Sequence, residues 1–317
     1  MNFNKSDNNL DPGSYVIYLG DLRILHKDAF FWYKFNYFRT KYCHMSRIVT
    51  KAYLSPNVVL LEIEAPLIAK KRKAGHFVII KIGTEGERIP LTIAKADIDR
   101  GTITLIVQKV GLTSHKVAAL NVGDEVTDVV GPLGNPTHIE KLGTVLCAGG
   151  GVGIAPLLPI AEALHNAGNR VISILATRTR ELLILENEIR KHSDEVIIMT
   201  DDGSYGRKGL ITAGMEEIIQ LMPIDLCVTI GPAIMMKFTS AVAMKYKVPA
   251  MASLNAIMVD GTGMCGACRV SVGGKIKFVC VDGPEFNAYD VDFDELLMRL
   301  GGYRDEEAED YKRALTK

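Results

Sequence analysis

The sequence predicts an all-β module followed by a parallel α/β sheet, with a short cysteine-rich loop near the C-terminus. Short runs rich in Val, Ile and Thr, separated by Gly, Pro or Asp turns, fill residues 46–131. Strands alternate with helices over residues 143–248, and residues 249–286 are rich in Gly and Cys. Closely spaced strands are typical of a small barrel or sandwich, and alternating strands and helices predict a parallel sheet with crossover connections.

Length, charge and hydropathy exclude several classes of function. The 317 residues are enough for two domains, and 48% hydrophobic with 23% charged residues can form a sizeable core. Lys and Arg total 37, as do Asp and Glu, so the zero formal charge argues against nucleic acid as a partner. No apolar run approaches the roughly 20 residues that span a bilayer, and the first residues do not resemble a secretory signal. We expect a cytoplasmic protein without membrane insertion.

Residues 1–44 differ from the rest in their aromatic content, which includes the cluster FFWYKFNYF and the only Trp. Their pattern favours neither helix nor strand. We expect an N-terminal extension outside the core, with an aromatic docking segment as the alternative. The other expected divisions are a β-barrel at 45–137, an α/β domain at 138–248, a cluster loop at 249–290 and a charged tail at 291–317. The tail pattern is typical of a solvated helix face.

The β module contains two short strings with binding chemistry. Its predicted strands are IVTKAYL, VVLLEIEA, HFVIIKI, TITLIVQKV and DEVTDVVG, and GPLGNP ends the module. Arg88-Ile-Pro-Leu-Thr92 combines a guanidinium, a rigid proline and a hydroxyl, which suits a diphosphate at a barrel edge. Gly111-Leu-Thr-Ser114 is the second string. Both strings also recur in ordinary turns.

In the α/β module, strand TVLCAGG runs into a glycine-rich turn and the helix IAPLLPIAEALHNAG. Strands VISILAT, EVIIMT and DLCVTI follow, with helices ELLILENEIRKH and ITAGMEEIIQLM between them. Glycines at a strand-to-helix junction let the backbone approach a pyrophosphate, and the helix N-terminus favours an anion. Asp201 and Asp202 follow the third strand, at the edge where such sheets bind nucleotides, although turn chemistry is the alternative. Cys147 and Cys227 lie on predicted buried strands, which indicates packing.

The strongest signal is Asp260-Gly-Thr-Gly-Met-Cys265-Gly-Ala-Cys268, with Cys280 beyond the hairpin VSVGGKIKFV. Plant-type ferredoxins hold a [2Fe–2S] cluster with C-x4-C-x2-C and a distant fourth Cys, and Asp260 takes the first position here. Small residues let such a loop wrap a cluster, and a carboxylate can ligate iron. We expect Asp260, Cys265, Cys268 and Cys280 as ligands, with water or a neighbouring group as the alternative to Asp260. A structural zinc site and a disulfide pair are the alternatives for the whole loop.

Together, the three sites resemble the ferredoxin–NADP reductase superfamily from about residue 45 to the C-terminus. The cluster loop is similar to the branch that holds two groups. One is the electron-transfer subunit of dihydroorotate dehydrogenase, and the other is the small (alpha) subunit of NADH-dependent reduced ferredoxin:NADP+ oxidoreductase, which is sulfide dehydrogenase-like. The first group is expected to use four Cys ligands, so Asp260 favours the second.

The resemblance implies FAD, NAD(H) and a [2Fe–2S] cluster as cofactors. It implies that FAD is held by Arg88, Pro90, Leu91 and Thr92, with Gly111, Thr113 and Ser114 at its diphosphate. It implies that the NAD(H) pyrophosphate lies over Gly149, Gly150, Gly151, Val152 and Gly153, with Arg178, Asp201 and Asp202 near the adenosine half. Arg178, Arg180, Arg207 and Lys208 could meet a 2′-phosphate, whereas Asp201 and Asp202 would repel one, and the resemblance favours NAD(H) over NADP(H). No residue is assigned as catalytic, since Ile230 stands where many members have Cys before Gly-Pro.

The function that the resemblance implies is electron transfer between a two-electron and a one-electron carrier. The subunit would exchange hydride between NAD(H) and FAD and single electrons with the cluster, in an electron-bifurcating ferredoxin:NADP+ oxidoreductase complex. The implied partner is a larger flavin and iron–sulfur subunit in a heterodimer, with ferredoxin reached indirectly. The alternatives are an electron-transfer subunit of NAD-dependent dihydroorotate dehydrogenase and a non-enzymatic redox-sensing or binding module.

Overall fold

The structure, a computed structural model, describes residues 15–19, 22–26, 46–83 and 86–315. The chain divides into two compact units, Met1–Met45 and Ser46–Lys317. In the first unit, strands β1 (Tyr15–Leu19) and β2 (Leu22–His26) form an antiparallel pair. The aromatic cluster FFWYKFNYF and Cys43 lie outside the described residues, so the expected role of residues 1–44 stays a prediction.

The second unit begins with a seven-stranded antiparallel sheet in the order β8-β3-β4-β7-β6-β5-β9. Its strands are β3 (Ser46–Ser55), β4 (Val58–Glu64), β5 (Phe77–Lys81), β6 (Arg88–Asp97), β7 (Thr102–Gln108), β8 (Glu125–Val126) and β9 (Asp128–Leu133). The two edge strands, β8 and β9, follow one another in the chain with only Thr127 between them. Because this brings the sheet's two edges together, the sheet is a nearly closed barrel, and the predicted β-barrel is confirmed.

Two short helices interrupt the region that the sequence predicts as all-β. They are α1 (Pro66–Lys71) and α2 (Leu112–Ala119). Pro66 begins α1, where its fixed φ and missing N–H are tolerated, and Ile68 and Ala69 pack into the barrel core. Gly111 precedes α2, and the Ser114 hydroxyl accepts the N–H of Gly111 at 2.9 Å. Both helices lie between the barrel strands, in stretches to which the sequence assigned no strand.

The predicted parallel sheet is also confirmed. Its order is β13-β12-β11-β10-β14-β15-β18, and only the last strand is antiparallel to its neighbour. Its strands and helices are β10 (Thr144–Gly150), α3 (Ile154–Asn166), β11 (Arg170–Thr177), α4 (Glu186–Arg190), β12 (Glu195–Thr200), β13 (Arg207–Lys208), α5 (Ile211–Leu221), β14 (Leu226–Ile230), α6 (Ala233–Lys245) and β15 (Ala250–Ser253). The predicted hairpin follows as β16 (Arg269–Val272) and β17 (Lys275–Phe278), and then helix α7 (Val279–Asp282) and strand β18 (Glu285–Asn287).

One helix is shorter than the sequence predicts. The predicted helix ELLILENEIRKH is observed as a 3-10 turn, Arg180–Leu182, followed by α4. Leu185, which precedes α4, has a φ of 56°, in the left-handed region. A left-handed residue cannot continue a right-handed helix, and this explains the interruption.

The C-terminal segment shares its core with the sheet instead of forming a core of its own. Buried Cys268, Val270 and Cys280 belong to the same cluster as Leu146 of β10 and Ile172 of β11. Two helices, α8 (Phe293–Leu300) and α9 (Arg304–Leu315), end the described chain, and residues 305–309 of α9 are exposed, as a solvated tail requires. None of the helices in the described ranges has both the length and the apolar character needed to cross a membrane.

Candidate functional site

One cleft connects the three parts of the second unit. Its volume is about 1330 Å³, and it lies at the carboxyl ends of β10 and β14. Pro90, Leu91 and Thr92 of β6 line the barrel side, and the turn from Gly150 to Gly153 lines the side of the parallel sheet. The C-terminal segment contributes Met258 and Pro284. The cleft therefore lies at the sheet edge where the sequence predicts a nucleotide.

The shape of the glycine turn is fixed by a second loop beside it. A Cβ on Gly153 would lie 2.6 Å from the Ile230 carbonyl oxygen and 2.7 Å from the Cα of Gly231. A Cβ on Gly150 would meet the side chain of Met235, which can move aside. Because the contacts at Gly153 are with backbone atoms and are closer than real Cβ atoms tolerate, only glycine at this position lets the two strand ends meet. The result is a cradle of backbone that leads into α3, which suits a pyrophosphate.

On the barrel side, several predicted polar groups are already bonded within the protein. The Arg88 guanidinium lies 3.9 Å from the Asp128 carboxylate, and both side chains are half-exposed. The Thr113 hydroxyl donates to the Glu87 carboxylate. The Ser114 hydroxyl donates to the carbonyl oxygen of Gly111 at 2.9 Å and accepts backbone N–H groups of the same loop. These bonds order the turn into α2.

The two predicted aspartates after β12 have different surroundings. Asp201 lines the cleft together with Arg178 from the loop after β11. The carboxylate of Asp202 instead accepts the backbone N–H and the hydroxyl of Ser204, at 2.9 and 2.7 Å, and these bonds lower the pKa of Asp202. Asp202 therefore stabilises its own turn, which was the alternative given for it above. Asp201 is the carboxylate that lines the cleft.

Of the predicted cofactor residues, most line the cleft and some lie behind or beside it. Those that line it are Pro90, Leu91, Thr92, Gly150, Gly151, Val152, Gly153, Arg178 and Asp201. Gly149 lies behind the wall, where a Cβ would be 2.8 Å from Leu157. Arg88, Gly111, Thr113, Ser114 and Asp202 are not among the lining residues. The sequence analysis did not assign Gly231, Pro232 and Ser253 to the site, although the Gly-Pro pair directly after a buried strand was a usable signal.

In the cluster loop, Asp260 organises the backbone. One oxygen of its carboxylate accepts the N–H of Thr262 at 2.9 Å, and the other accepts the N–H of Cys265 at 2.9 Å. The bond from Thr262 is the largest contribution to a lowered pKa of Asp260. The carboxylate is therefore anionic, and it is hydrogen-bonded to the backbone of Cys265, the first cysteine of the motif.

The three cysteines differ in burial. The Sγ atoms of Cys268 and Cys280 lie 3.2 Å apart, and both residues are buried, whereas Cys265 is exposed. The backbone N–H of Cys280 points at the Cys268 sulfur at 3.4 Å. Burial, with Cys268 beside it, raises the pKa of the Cys280 thiol to about 12. The thiolate is the form of Cys280 that binds a metal, and because its pKa is raised, this form needs a bound cation to stabilise it.

These donors fit an iron–sulfur cluster better than a single metal ion. In the described part of the chain, no three His, Cys, Asp or Glu side chains are gathered as they would be around one ion. The loop instead brings the sulfurs of Cys268 and Cys280 together, and the Asp260 carboxylate accepts the backbone N–H of Cys265. A cluster of two irons takes two ligands on each iron.

The remaining two cysteines in the described part of the chain are packing residues, as predicted. Cys147 of β10 and Cys227 of β14 are 0% and 1% exposed. Burial raises the pKa of both thiols to about 12. Neither lines the cleft, so neither takes part in its chemistry.

Fold and site together define an oxidoreductase of the ferredoxin–NADP reductase type with an added iron–sulfur loop. Residues 255–292 match the iron–sulfur cluster binding domain of dihydroorotate dehydrogenase B. A dihydroorotate dehydrogenase B electron transfer subunit homolog of Thermotoga maritima is 48% identical over 271 residues, which are 86% of this chain and 96% of that protein. The electron transfer subunit of Geobacillus thermodenitrificans is 32% identical over 77% of this chain and 96% of its own length.

A solved structure gives the same result. A chain in the structure of the NADH-dependent reduced ferredoxin-NADP oxidoreductase, described in the context of flavin-based electron bifurcation, is 47% identical. The match covers 86% of this chain and 98% of that chain, with a TM-score of 0.82. The protein belongs to the family of dihydroorotate dehydrogenase B electron transfer subunits and their homologues. Its cofactors are FAD, NAD(H) and an iron–sulfur cluster, as the sequence predicts.

Proposed function

We propose that the protein exchanges hydride between NAD(H) and FAD and passes single electrons through a [2Fe–2S] cluster. The observation that carries this proposal is the single cleft in which β6 of the barrel, the glycine turn and the C-terminal segment share walls. FAD bound there would supply the conversion between two-electron and one-electron transfer. The chain's own part is to hold both cofactors in contact and to exclude water between them.

The walls of the cleft support most of the residue assignment. The barrel, residues 45–137, would hold FAD against Pro90, Leu91 and Thr92. Arg88 and the turn of Gly111, Thr113 and Ser114 do not line the cleft, and only the resemblance assigns them to the phosphates of FAD. The α/β domain, residues 138–248, would hold NAD(H) over the backbone from Gly149 to Gly153. Asp201 faces the cleft beside Arg178, so a 2′-phosphate would meet a carboxylate as well as a guanidinium, and this supports NADH as the nucleotide.

The cluster would lie in the loop at 249–290. We assign Cys268 and Cys280 to one iron, because their sulfurs are 3.2 Å apart, and Asp260 with Cys265 to the other. The backbone N–H directed at the Cys268 sulfur supports this assignment, since such bonds stabilise reduced clusters and tune their potentials.

The exposed side of the cluster loop supports electron transfer to a partner. Cys265 is exposed, and three apolar side chains of the same segment are exposed as well: Met264 at 89%, Val259 at 49% and Val281 at 42%. Exposed apolar side chains around a redox group are typical of an interaction surface. We assign this surface to a larger flavin and iron–sulfur subunit, which would pass electrons on to ferredoxin and NADP+. Such a heterodimer would work in the cytoplasm, where thiol ligands stay reduced.

The second candidate function is that of an electron-transfer subunit of dihydroorotate dehydrogenase, and the names of the relatives support it. Asp260 separates the two candidates, because a dihydroorotate-type loop is expected to use four cysteines. Copurification with a dihydroorotate-oxidising subunit would decide for the second candidate, and copurification with a subunit that reduces NADP+ would decide for the first.

The test of the proposal is an anaerobic optical titration of the purified protein, with flavin and iron measured beforehand. We expect NADH to bleach a bound flavin and then the cluster, in a sample with two irons per chain, and NADPH to act more weakly. Flavin reduction in a sample that cannot hold iron would leave a simple flavin reductase. A protein that binds no flavin after reconstitution would be the non-enzymatic binding module.

A further inference from the structure

The carboxyl group of Glu285 lies directly behind the wall of the cleft. Glu285 begins β18 and pairs with Ser253 of β15. Its Oε1 accepts the hydroxyl of Thr137 at 2.7 Å and lies 3.2 Å from the position that a Cβ on Gly75 would occupy. Gly75, Ser253 and Pro284 all line the cleft. The carboxyl thus lies where the barrel, the parallel sheet and the cluster segment meet.

Backbone hydrogen bonds hold the segment that carries Glu285 in place. The backbone N–H of Asn135 donates to the Gly283 carbonyl at 2.7 Å, and the backbone N–H of Leu254 donates to the Pro284 carbonyl at 2.9 Å. Any side chain at position 75 would be 2.6 Å from the Thr137 hydroxyl. The backbone beside the half-buried Glu285 is therefore fixed, and its carboxyl lies against Thr137 and Gly75.

No cation neutralises Glu285 within the part of the chain that the structure describes. Burial raises the pKa of Glu285 to about 7, and the bond from Thr137 opposes that rise. The charged and titratable groups on the surrounding segments are Arg72, Lys73, His76, His138 and Asp282. Arg72 donates to the carbonyl oxygens of Ile93 and Ala94 at 3.2 and 3.0 Å, and the charge of Lys73 acts on His76. His76 accepts the Lys73 N–H at 3.1 Å, exposed His138 lies 3.4 Å from Glu140, and Asp282 accepts the Phe278 N–H at 2.7 Å.

The proposed reaction changes the charge of the cleft. Hydride transfer carries two electrons and one proton together, NADH + FAD → NAD+ + FADH−, so the reduced flavin would hold the hydride's proton and one more negative charge than the oxidised flavin. A carboxylate behind the wall of the cleft, with a neutral hydroxyl as its partner, can offset that charge by taking a proton from water, by the step COO− + H+ → COOH. Once the electrons have passed to the cluster, which carries electrons only, the added charge is gone and the carboxyl can release its proton.

We propose that Glu285 is a redox-linked proton site, which binds a proton when the cofactors of the cleft are reduced and releases it when they are reoxidised. The physical reason is that electrons added nearby favour the neutral form of a carboxyl that has no cation beside it. By linkage, the ionised carboxylate must oppose reduction to the same extent. This inference rests on the proposed function.

The test compares proton uptake by the cofactor-loaded protein and by Glu285→Gln. Glutamine keeps the shape and can still accept the Thr137 hydroxyl, but it does not titrate. The protein is reduced at an electrode through a mediator, in weakly buffered solution, and a pH indicator measures the protons bound. We expect the unaltered protein to bind more protons than the variant, by up to one proton per chain near pH 7, with the difference vanishing at pH 5 and pH 9. Glu140→Gln, at an exposed carboxylate, is the matched control and should behave as the unaltered protein.

A second variant, Thr137→Val, should shift the pH dependence of proton uptake in a direction that a merely structural role of Glu285 would not produce. Thr137→Val removes the bond that favours the ionised form, so the pH of greatest excess uptake should move upward. The reduced-minus-oxidised infrared spectrum of the unaltered protein should contain a carboxylic acid band that is absent in Glu285→Gln, and this readout does not depend on turnover.

Equal proton uptake by the unaltered protein and Glu285→Gln from pH 5 to pH 9 would overturn the inference and leave the proposed function intact. A protein that retains neither flavin nor iron would overturn both. If Glu285→Gln does not fold, the infrared band and its pH dependence in Thr137→Val decide the question, and a band whose intensity did not change with pH would count against a titrating carboxyl.

Discussion

The glycine turn after β10 and the cluster loop are both rich in glycine, yet they are shaped by different forces. In the glycine turn, the backbone of a neighbouring strand end fixes the conformation, since Gly153 lies against the Ile230 carbonyl and Gly231. In the cluster loop, the Asp260 carboxylate collects the N–H groups of Thr262 and Cys265. The nucleotide cradle is thus formed by the sheet itself, whereas the cluster loop depends on its own donor side chains. Substitutions should therefore damage the two regions in different ways.

The largest expected effect is on the cluster. Cys268→Ser should abolish the cluster and also destabilise the iron-free protein by about 1–3 kcal/mol, because a hydroxyl would be buried in the core that Cys268 shares with the sheet. Cys265→Ser, at the exposed ligand, should lose the cluster without that cost. Iron content, the visible spectrum and the free energy of unfolding of the iron-free proteins separate the two effects.

Cys147→Ser is the matched control for burial, since it makes the same change in the core of β10, away from the loop. It should destabilise the fold and keep its iron. A Cys268→Ser protein with a full complement of iron would contradict the assignment of this ligand.

Gly153→Ala should have the next largest effect, on the nucleotide side alone. The new Cβ would lie 2.6 Å from a backbone oxygen, so the turn must move. A displacement of about 1 Å at a binding site can cost ~10²-fold in rate. We expect ~10²-fold slower reduction of the flavin at low NADH, with normal flavin and iron contents, in stopped-flow measurements.

Gly302→Ala is the control, because its Cβ would be at an ordinary 3.4 Å from the Arg299 carbonyl. It should be reduced by NADH at the normal rate. If Gly153→Ala were reduced equally fast, the turn would not be the nucleotide cradle.

The strand with its glycine turn and the iron–sulfur loop could be predicted from the sequence because each signal is local in the chain. The glycine run directly follows a strand and the proposed cluster ligands have a recognisable spacing, so neither needed knowledge of distant residues. The hydrogen bonds of the Thr113 and Ser114 hydroxyls were harder to predict from the sequence. Their bonds to Glu87 and to their own turn depend on how β6 and α2 meet.

Glu285 could not be predicted at all. Its environment is made by Gly75 and Thr137, which are far away in the sequence. Periodicity reports burial along one element, but a carboxyl enclosed by three segments has no local signature. The interruption at Leu185 is similar, since an apolar run in a helical pattern gives no sign of a left-handed residue.

A third expected effect concerns Glu285, which lies between the two regions. Its pKa is raised from 4.5 to about 7 in the folded protein. The folded state therefore binds more protons than the unfolded state between these values, and stability should fall as pH rises through this window. The slope is at most ~1.4 kcal/mol per pH unit. Urea unfolding from pH 5 to pH 8 measures it. Glu285→Gln should remove this part of the slope and Glu140→Gln should keep it, so equal slopes in all three proteins would refute the assignment.

The smallest expected effect separates conformation from space within the glycine turn. Gly151 has a φ of +55°, and nothing lies within 4 Å of the position that its Cβ would take. Gly151→Ala should therefore cost about 1 kcal/mol of stability, the usual penalty for a left-handed residue with a side chain.

Gly123 has a φ of +94° and equally open surroundings, but it lies in the turn before β8 and does not line the cleft. Gly123→Ala should show the same loss of stability. Only Gly151→Ala should raise the NADH concentration needed for half-maximal flavin reduction, by several-fold, because the open space above Gly151 is where the pyrophosphate would lie. The same NADH dependence in both variants would mean that the dinucleotide does not pass over this turn.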